Sequence, residues 1–424
     1  MIVFFAAFVI FLIIGIPISI SIGASAVLGC LALGYPLVVI GQKMVSGIDS
    51  FLLIAVPLFI LAGNLMNAGK ITEKIFDSAK ELVGWIPGGL AHANVVASII
   101  FAGMSGSAVA DAGGLGAIEM EAMKKNGYDE DFSGAITAAS SVIGPIFPPS
   151  IPLIIYGSVA SVSVSKLFMG GVVPGLLLGV TLMIMIYFFA KKRHYECHKF
   201  NLQALVHQFL HSILALITPL IILSGFTFGL FTPTEASSVA VVYSLLIALF
   251  VYKTLDWESF KKCLKDSAIS SANTLFIIGT SSLFTYVMAK EGVSRQIADF
   301  ILSVSSSPAV ILLVINVLLL MLGMIMEPGA ILTLMLPVLI PIANGLQLDL
   351  VFFGVMMVLN LMIGQVTPPF GVCLFVISDV NKLKLEQLYK AILPFLIPLI
   401  ITLFLVTYIP ALVTFLPNTL LAGA

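Results

Sequence analysis

The sequence predicts an all-α polytopic membrane protein, built as an inverted-topology repeat with two re-entrant hairpins and two broken helices. Three observations predict it. The chain is 60% hydrophobic and 10% charged, with mean hydropathy +1.15, whereas soluble domains carry about 25% charged residues. One interruption occurs twice inside apolar stretches, as Ile143-Gly-x-x-x-Pro148-Pro149 and Ile363-Gly-x-x-x-Pro368-Pro369, a separation of 220 residues. The lysines flanking equivalent segments have opposite polarity in the two copies.

Composition also excludes several functions. The 424 residues leave room for about ten to twelve spans of roughly 20 residues each. A net charge of -1 with no basic run argues against nucleic acid. Cys30, Cys197, Cys263 and Cys373 are scattered, with neither a disulfide framework nor zinc spacing. Gly69-Lys70-Ile71 is the nearest thing to a phosphate loop, but Gly63 is one residue out of register and Ile71 replaces Ser/Thr. His207 and His211 have helical spacing without a glutamate between them, and His194, Cys197 and His198 read as solvated linker positions rather than metal ligands.

Taken in order, Met1 to Ile14 lacks a basic leader and stays apolar to about Leu33, which predicts one retained first span. Segment 70–84 alternates Lys70, Glu73, Lys74, Asp77, Lys80 and Glu81 with Ile71, Ile75, Phe76 and Leu82, an amphipathic helix at the interface. It reads equally as an arm joining fixed and moving parts or as a plain anchor. The run Gly103-Met-Ser-Gly-Ser-Ala-Val-Ala-Asp111 is small and hydroxylated, which predicts a hairpin tip. The first Pro-Pro pair then breaks a helix, because proline lacks an N–H and its ring clashes with the preceding turn. In a bilayer such a break persists only where protein or a wet cavity covers it.

The second half repeats this order. Two crossings over 213–230 and 236–252 follow the basic stretch, and Glu235 in Thr232-Pro-Thr-Glu235 reads as a helix cap. Segment 290–303 matches the first arm, Glu327-Pro328-Gly-Ala330 forms the second tip, and the second Pro-Pro break follows. The division predicted is 1–190 for the first repeat, 191–210 for a cytoplasmic linker and 211–424 for the second repeat.

Lysine placement sets the orientation. Lys191, Lys192, Arg193 and Lys199 place the linker in the cytoplasm, and two crossings return the chain to Lys253, Lys261, Lys262 and Lys265. Lys124 and Lys125 close the first hairpin, while its partner, Asn344 to Leu350, has no lysine. After the first break there is Lys166 alone; after the second there are Lys382, Lys384 and Lys390. The two halves therefore enter the membrane from opposite sides.

Acids within apolar stretches are costly and face a cavity or a partner. Asp111, Glu235 and Glu327 are three such acids, with capping a sufficient explanation for Glu235 and a competing one for Glu327. Around the breaks, Ser140, Ser141, Gly144 and Ser150 on one side and Asn360, Gly364 and Thr367 on the other offer oxygens to a hard cation. Half-helix N-termini nearby offer partial positive charge to an anion. Paired breaks in the two halves point to a transporter's binding site.

With these residues assembled, the chain resembles the large membrane subunit of tripartite ATP-independent periplasmic (TRAP) transporters. The resemblance covers essentially the whole chain and rests on Gly103–Asp111, the two breaks, Phe231-Thr-Pro-Thr-Glu-Ala236 and Glu327-Pro328. It implies an elevator-type carrier in the bacterial inner membrane, with a small four-helix membrane subunit and a soluble periplasmic binding protein as partners. It implies sodium-driven import of carboxylates such as C4-dicarboxylates or sialic acids. Met1 at the large-subunit start implies the unfused arrangement. Carried over, the resemblance places substrate at Ser105, Ser107, Asp111, Ser150 and Glu327, and sodium at Ser141, Gly144, Asn360, Gly364 and Thr367. Gln365 departs from the small or apolar residue expected inside the second break, and its role stays open. Competing readings are a proton-coupled carrier titrating Asp111 or Glu327, a channel, and an intramembrane hydrolase using Ser105 or Ser107 with no nearby base but His92.

Overall fold

The computed structural model describes residues 2–193, 195, 197, 199–227, 229–305 and 307–421, and contains no strand among them. His194 and His198 lie outside the described residues. The first half runs α1 (Ile2–Ile13), α2 (Ile18–Ala32), α3 (Val38–Ile48), α4 (Ala55–Ala68), α5 (Ile71–Val83), α6 (Gly89–Ser105), α7 (Ala108–Ala110), α8 (Gly116–Lys125), α9 (Glu130–Ser141), α10 (Ile151–Ala160) and α11 (Val164–Arg193). The second runs α12 (Leu202–Thr227), α13 (Pro233–Leu246), α14 (Trp257–Lys290), α15 (Val293–Val304), α16 (Pro308–Ile325), α17 (Pro328–Gly345), α18 (Leu350–Gly364), α19 (Val372–Asn381), α20 (Leu385–Tyr408) and α21 (Ala411–Leu420). Among the described residues eight helices are long and apolar enough to cross a bilayer. That is fewer than the expected spans because hairpins and breaks divide apolar sequence into shorter pieces.

The repeat is visible element by element. α8 ends at Lys125 and α17 at Gly345; α9 begins at Glu130 and α18 at Leu350. α10 and α19 then follow the breaks, and α11 and α20 close each unit. Both Pro-Pro bonds are cis. The arms α5 and α15 are separate helices, as their charge pattern predicts, and α5 buries Ile71, Ile75, Phe76, Ala79 and Val83. α14 packs against α2, α3 and α4, and α13 packs on α4. A second group, α16 with α18 and α9 with α20, surrounds the breaks.

Four expectations change. The predicted single first span is two helices, because Gly15 (φ +85) and Pro17 end α1 and start α2. Phe4 packs on Gly29, so the two lie antiparallel. The turn satisfies its own backbone through Ile14 N–H to Ile10 O, Gly15 N–H to Leu12 O and Ile16 N–H to Phe11 O. The first tip is tighter than the small-residue run suggests: α6 continues through Ser105, and only Gly106 and Ser107 form the turn. α11 and α12 extend into the stretch assigned as linker, since Lys191–Arg193 and Leu202–Leu210 are helical. Glu327 precedes α17 with extended backbone, but its side chain closes no cap hydrogen bond.

Glu235 does cap. It forms a reciprocal box with Thr232, whose N–H reaches Oε2 at 2.8 Å while the Glu235 N–H reaches Oγ1 at 3.3 Å. Thr232→Ala is expected to cost about 1 kcal/mol, read as a lower heat-unfolding midpoint in detergent and restored by Thr232→Ser. An unchanged midpoint would remove the cap's energetic role.

Candidate functional site

A cavity of about 300 Å³ lies where the two hairpin tips meet the two breaks. The first tip contributes Ser105 to Ala110, and the first break contributes Pro145, Ile151 and Pro152. The second tip supplies Glu327 and Pro328, and the second break supplies Met362 and Gln365. α4 closes it with Ile60, Gly63 and Asn64, and α14 with Ser270 and Thr274. Three helix starts converge on this space: Ala108 of α7, Ile151 of α10 and Pro328 of α17. Their dipoles favour a negative ligand, while the first-turn N–H groups of α10 are directed to Gly106 O, Ser150 Oγ and Ser150 O. Glu327 is the one charged residue on the wall among the described residues, and its Oε2 has no hydrogen-bond partner. The Ser105 hydroxyl is also unpartnered.

The tip is seated on the first break by close backbone contact. Ile151 N–H points to Gly106 O at 3.4 Å, and an added Cβ on Gly106 would lie 2.6 Å from Pro149 O. Ser107 caps the returning helix by accepting from Ala110 N–H at 3.4 Å. Ser150 caps α10 by accepting from Leu153 N–H at 3.2 Å and donates its own proton to Pro145 O. It is fully buried and off the cavity wall.

The site residues expected from sequence therefore separate into two sets. Ser105, Ser107 and Glu327 share the cavity. Asp111 and Ser150 sit behind it, Asp111 beginning a π-helical turn, Asp111–Leu115, within the returning helix of the hairpin. At the first break Ser141 donates to Ala138 O at 2.8 Å, and Ser141 O and Ser107 O lie 3.4 and 3.6 Å from where a Gly144 Cβ would be. At the second break Asn360 donates to Asn316 O at 2.9 Å and to Asn316 Oδ1 at 2.7 Å, leaving its own Oδ1 buried and unpartnered. Gly364 lies against Gly323, and Thr367 donates to Ile363 O at 2.6 Å. These residues back the cavity from opposite sides.

Gln365 is on the wall, 4% exposed, which places the residue whose role the sequence left open. Sequence reasoning missed Asn64, Ser270 and Thr274. The signal was present: Ser267, Ser270, Ser271 and Thr274 recur at three- and four-residue spacing along α14, and Asn64 donates to Ser267 at 2.8 Å. It also missed Glu119, which is buried although Glu121, two residues on, is exposed and paired to Lys125.

Residues 5–412 match the family described as Tripartite ATP-independent periplasmic transporter, DctM component. The chain belongs to that family. Among its relatives, the sialic acid TRAP transporter large permease SiaM of Vibrio cholerae is 45% identical over 90% of this chain and 89% of its own length. The sialic acid TRAP permease SiaT of Haemophilus influenzae is 48% identical over 90% of this chain, which spans 62% of SiaT's length. The C4-dicarboxylate permease DctM of Pseudomonas aeruginosa is 39% identical over 89% of each chain. Among solved structures, the YdaH transporter of Alcanivorax borkumensis shares the fold, with TM-score 0.65 and 12% identity over 88% of each chain. This chain is thus a multi-pass membrane transporter component of that family.

Proposed function

We propose that this chain is the permease subunit of a sodium-coupled importer of an organic acid, of the sialic acid or C4-dicarboxylate class, working by an elevator motion in the bacterial inner membrane. The observation that carries the reading is the convergence of three helix starts on a cavity whose one charged wall residue is Glu327. An anion is held there by helix dipoles rather than by lysine or arginine. Sodium at the two backing sites offsets the negative charge of Glu327 and the substrate. Similarity to the sialic acid permeases SiaT and SiaM and the C4-dicarboxylate permease DctM supports these substrate classes. The tripartite family description supports a small four-helix membrane subunit and a periplasmic binding protein as partners.

In this reading the hairpins and broken helices move as one body against α4 and α14. The cytoplasmic end is the one where Arg193 pairs with Asp129 and where Lys124 and Glu130 share a cleft with Asn381 and Leu383. Lysine-bearing loops of both repeats meet there, which supports the inverted arrangement. The test is uptake by proteoliposomes with binding protein and small subunit, in which choline replaces external sodium at fixed pH. Uptake should fall to background, and Asn360→Ala should raise the sodium concentration for half-maximal uptake at least tenfold. Undiminished uptake in choline would leave proton coupling as the surviving scheme.

A further inference from the structure

The two arms begin at hinges of the same construction. α4 ends at Ala68 and α5 starts at Ile71, with Gly69 and Lys70 between them; α14 ends at Lys290 and α15 starts at Val293, with Glu291 and Gly292 between them. The backbone bonding matches residue for residue. Gly69 N–H reaches Leu65 O at 2.8 Å and Lys70 N–H reaches Asn67 O at 3.1 Å, while Glu291 N–H reaches Val287 O and Gly292 N–H reaches Ala289 O, both at 3.1 Å. The second residue of each pair is left-handed, Lys70 at φ +54 and Gly292 at φ +71. Such a residue just past a helix end stops the helix and lets the chain leave in a new direction.

Each hinge is held by the other half of the chain. Thr254 donates its hydroxyl proton to Gly69 O at 2.6 Å, and Tyr35 donates its own to Glu291 Oε1 at 2.5 Å. The donors also occupy matching places. Gly34 (φ +73) and Tyr35 follow α2, and Lys253 (φ +53) and Thr254 follow Ile247–Val251, a π-helical turn that extends α13. Each donor's own N–H closes that helix end, Tyr35 onto Cys30 O at 2.9 Å and Thr254 onto Ala248 O at 3.1 Å. Donors and acceptors are separated across the repeat by 219 (Tyr35 to Thr254) and 222 (Gly69 to Glu291) residues, close to the 220 of the breaks. The residue types differ while the place of the hydrogen bond does not, so the bond belongs to the repeat rather than to one local sequence.

Both clasps rest on packed supports. A Cβ on Gly69 would lie 2.7 Å from Ala248 Cβ, and Ala248 is clustered with Leu65, Leu255 and Cys263. Tyr35 meets Tyr286 of α14 edge-on, centroids 6.1 Å apart, and Lys43 lies 4.8 Å over the Tyr286 ring. Thr254 precedes α14 and Glu291 follows it. The 34 residues of α14 span about 51 Å at 1.5 Å per residue, so one clasp stands near each membrane surface. Beyond the hinges the arms pack on the hairpins, α5 on α6 and α15 on α17. We infer that Tyr35 and Thr254 are positioning residues for transport, each fixing the scaffold end of the other half's arm so that the arm turns at its hinge while its foot stays in place. The inference rests on the elevator reading above. Neither residue is on the cavity wall, so the loss on removing the hydroxyl falls on turnover and not on binding.

The test uses the full complex in proteoliposomes, with labelled sialic acid and succinate as probes. Tyr35→Phe and Thr254→Val each remove one hydroxyl, and Thr254→Ser keeps it. Maximal uptake should fall about tenfold in the first two and stay within twofold in Thr254→Ser, with half-saturating sodium and substrate unchanged in all three. The same variants then carry a reporter, Val109→Cys on the cavity wall, in a Cys197→Ser background whose remaining cysteines are buried. A membrane-impermeant maleimide should reach it from either face when the clasps are intact, and about tenfold more slowly from one face in Tyr35→Phe and Thr254→Val. Labelling from one face only with intact clasps overturns the elevator reading and the inference with it. Two-sided labelling with unchanged maximal uptake in both variants overturns the clasps alone. A loss read as raised half-saturation, or one that Thr254→Ser shares, also overturns the positioning role.

Discussion

Gly106→Val is expected to reduce proteoliposome uptake about 100-fold while leaving the protein in the membrane. Gly106 has φ +58, and its missing Cβ would meet Pro149 O at 2.6 Å and Ile151 N at 3.1 Å. A left-handed conformation costs an ordinary residue about 1–2 kcal/mol, and overpacking adds about 1–3 kcal/mol. Together they come to about 3 kcal/mol, or a factor of about 100. The tip cannot stay on the first break with a branched side chain there, so the Ile151 N–H to Gly106 O contact opens and the cavity loses a wall. Gly127→Ala is the control: φ is +77, but nothing lies within 4 Å. Uptake by Gly106→Val within threefold of the unmutated chain would show that the tip does not need its seat.

Gly364→Ala should be the most destabilising conservative change in the second half. Its Cβ would fall 2.7 Å from Gly323 Cα and 2.6 Å from Gly323 C, where α16 and α18 cross backbone to backbone. Neither atom belongs to a movable side chain, so the helices themselves must separate. The cost is about 1–3 kcal/mol, read as a lower unfolding midpoint. Because Asn360 is held to α16 through Asn316, the same displacement should also weaken sodium dependence. A lowered midpoint with unchanged sodium dependence would separate the packing role of Gly364 from any role at the ion.

Much of this was legible because proline and glycine act locally. The Pro148-Pro149 and Pro368-Pro369 pairs break helices wherever they occur, so the breaks, their spacing and the following half-helices could be read without a structure. The arms were legible for a similar reason, since their charges and apolar residues alternate at helical spacing. What could not be read was which polar residues share a volume. Asp111 and Ser150 flank the tip and break in sequence, yet each turns away from the cavity, Asp111 into the hairpin and Ser150 onto Pro145 O. Ser270 and Thr274 come to the cavity from a helix more than a hundred residues beyond the first break. Glu119 is, in the sequence, one of several charges near Lys124 and Lys125, and only the packing of α6, α8 and α9 distinguishes it from Glu121.

The paired helices at the start of the chain have a consequence for the surrounding lipid. α1 has 12 residues and α2 has 15, lengths of about 18 and 22 Å at 1.5 Å per residue, against a hydrocarbon thickness of about 30 Å. α2 lies along α14 with Gly23 on Thr280, and Phe4 packs at a tilt on Phe284, which puts the Gly15–Pro17 turn level with the middle of that long helix. Ile13 and Ile14 at the turn are 79% and 69% exposed. The pair therefore reaches only part-way across the bilayer, with a turn that needs no water because it is apolar and internally bonded. The depth beyond the turn is left to acyl chains or to a partner helix, so the scaffold there is not a full-depth protein wall.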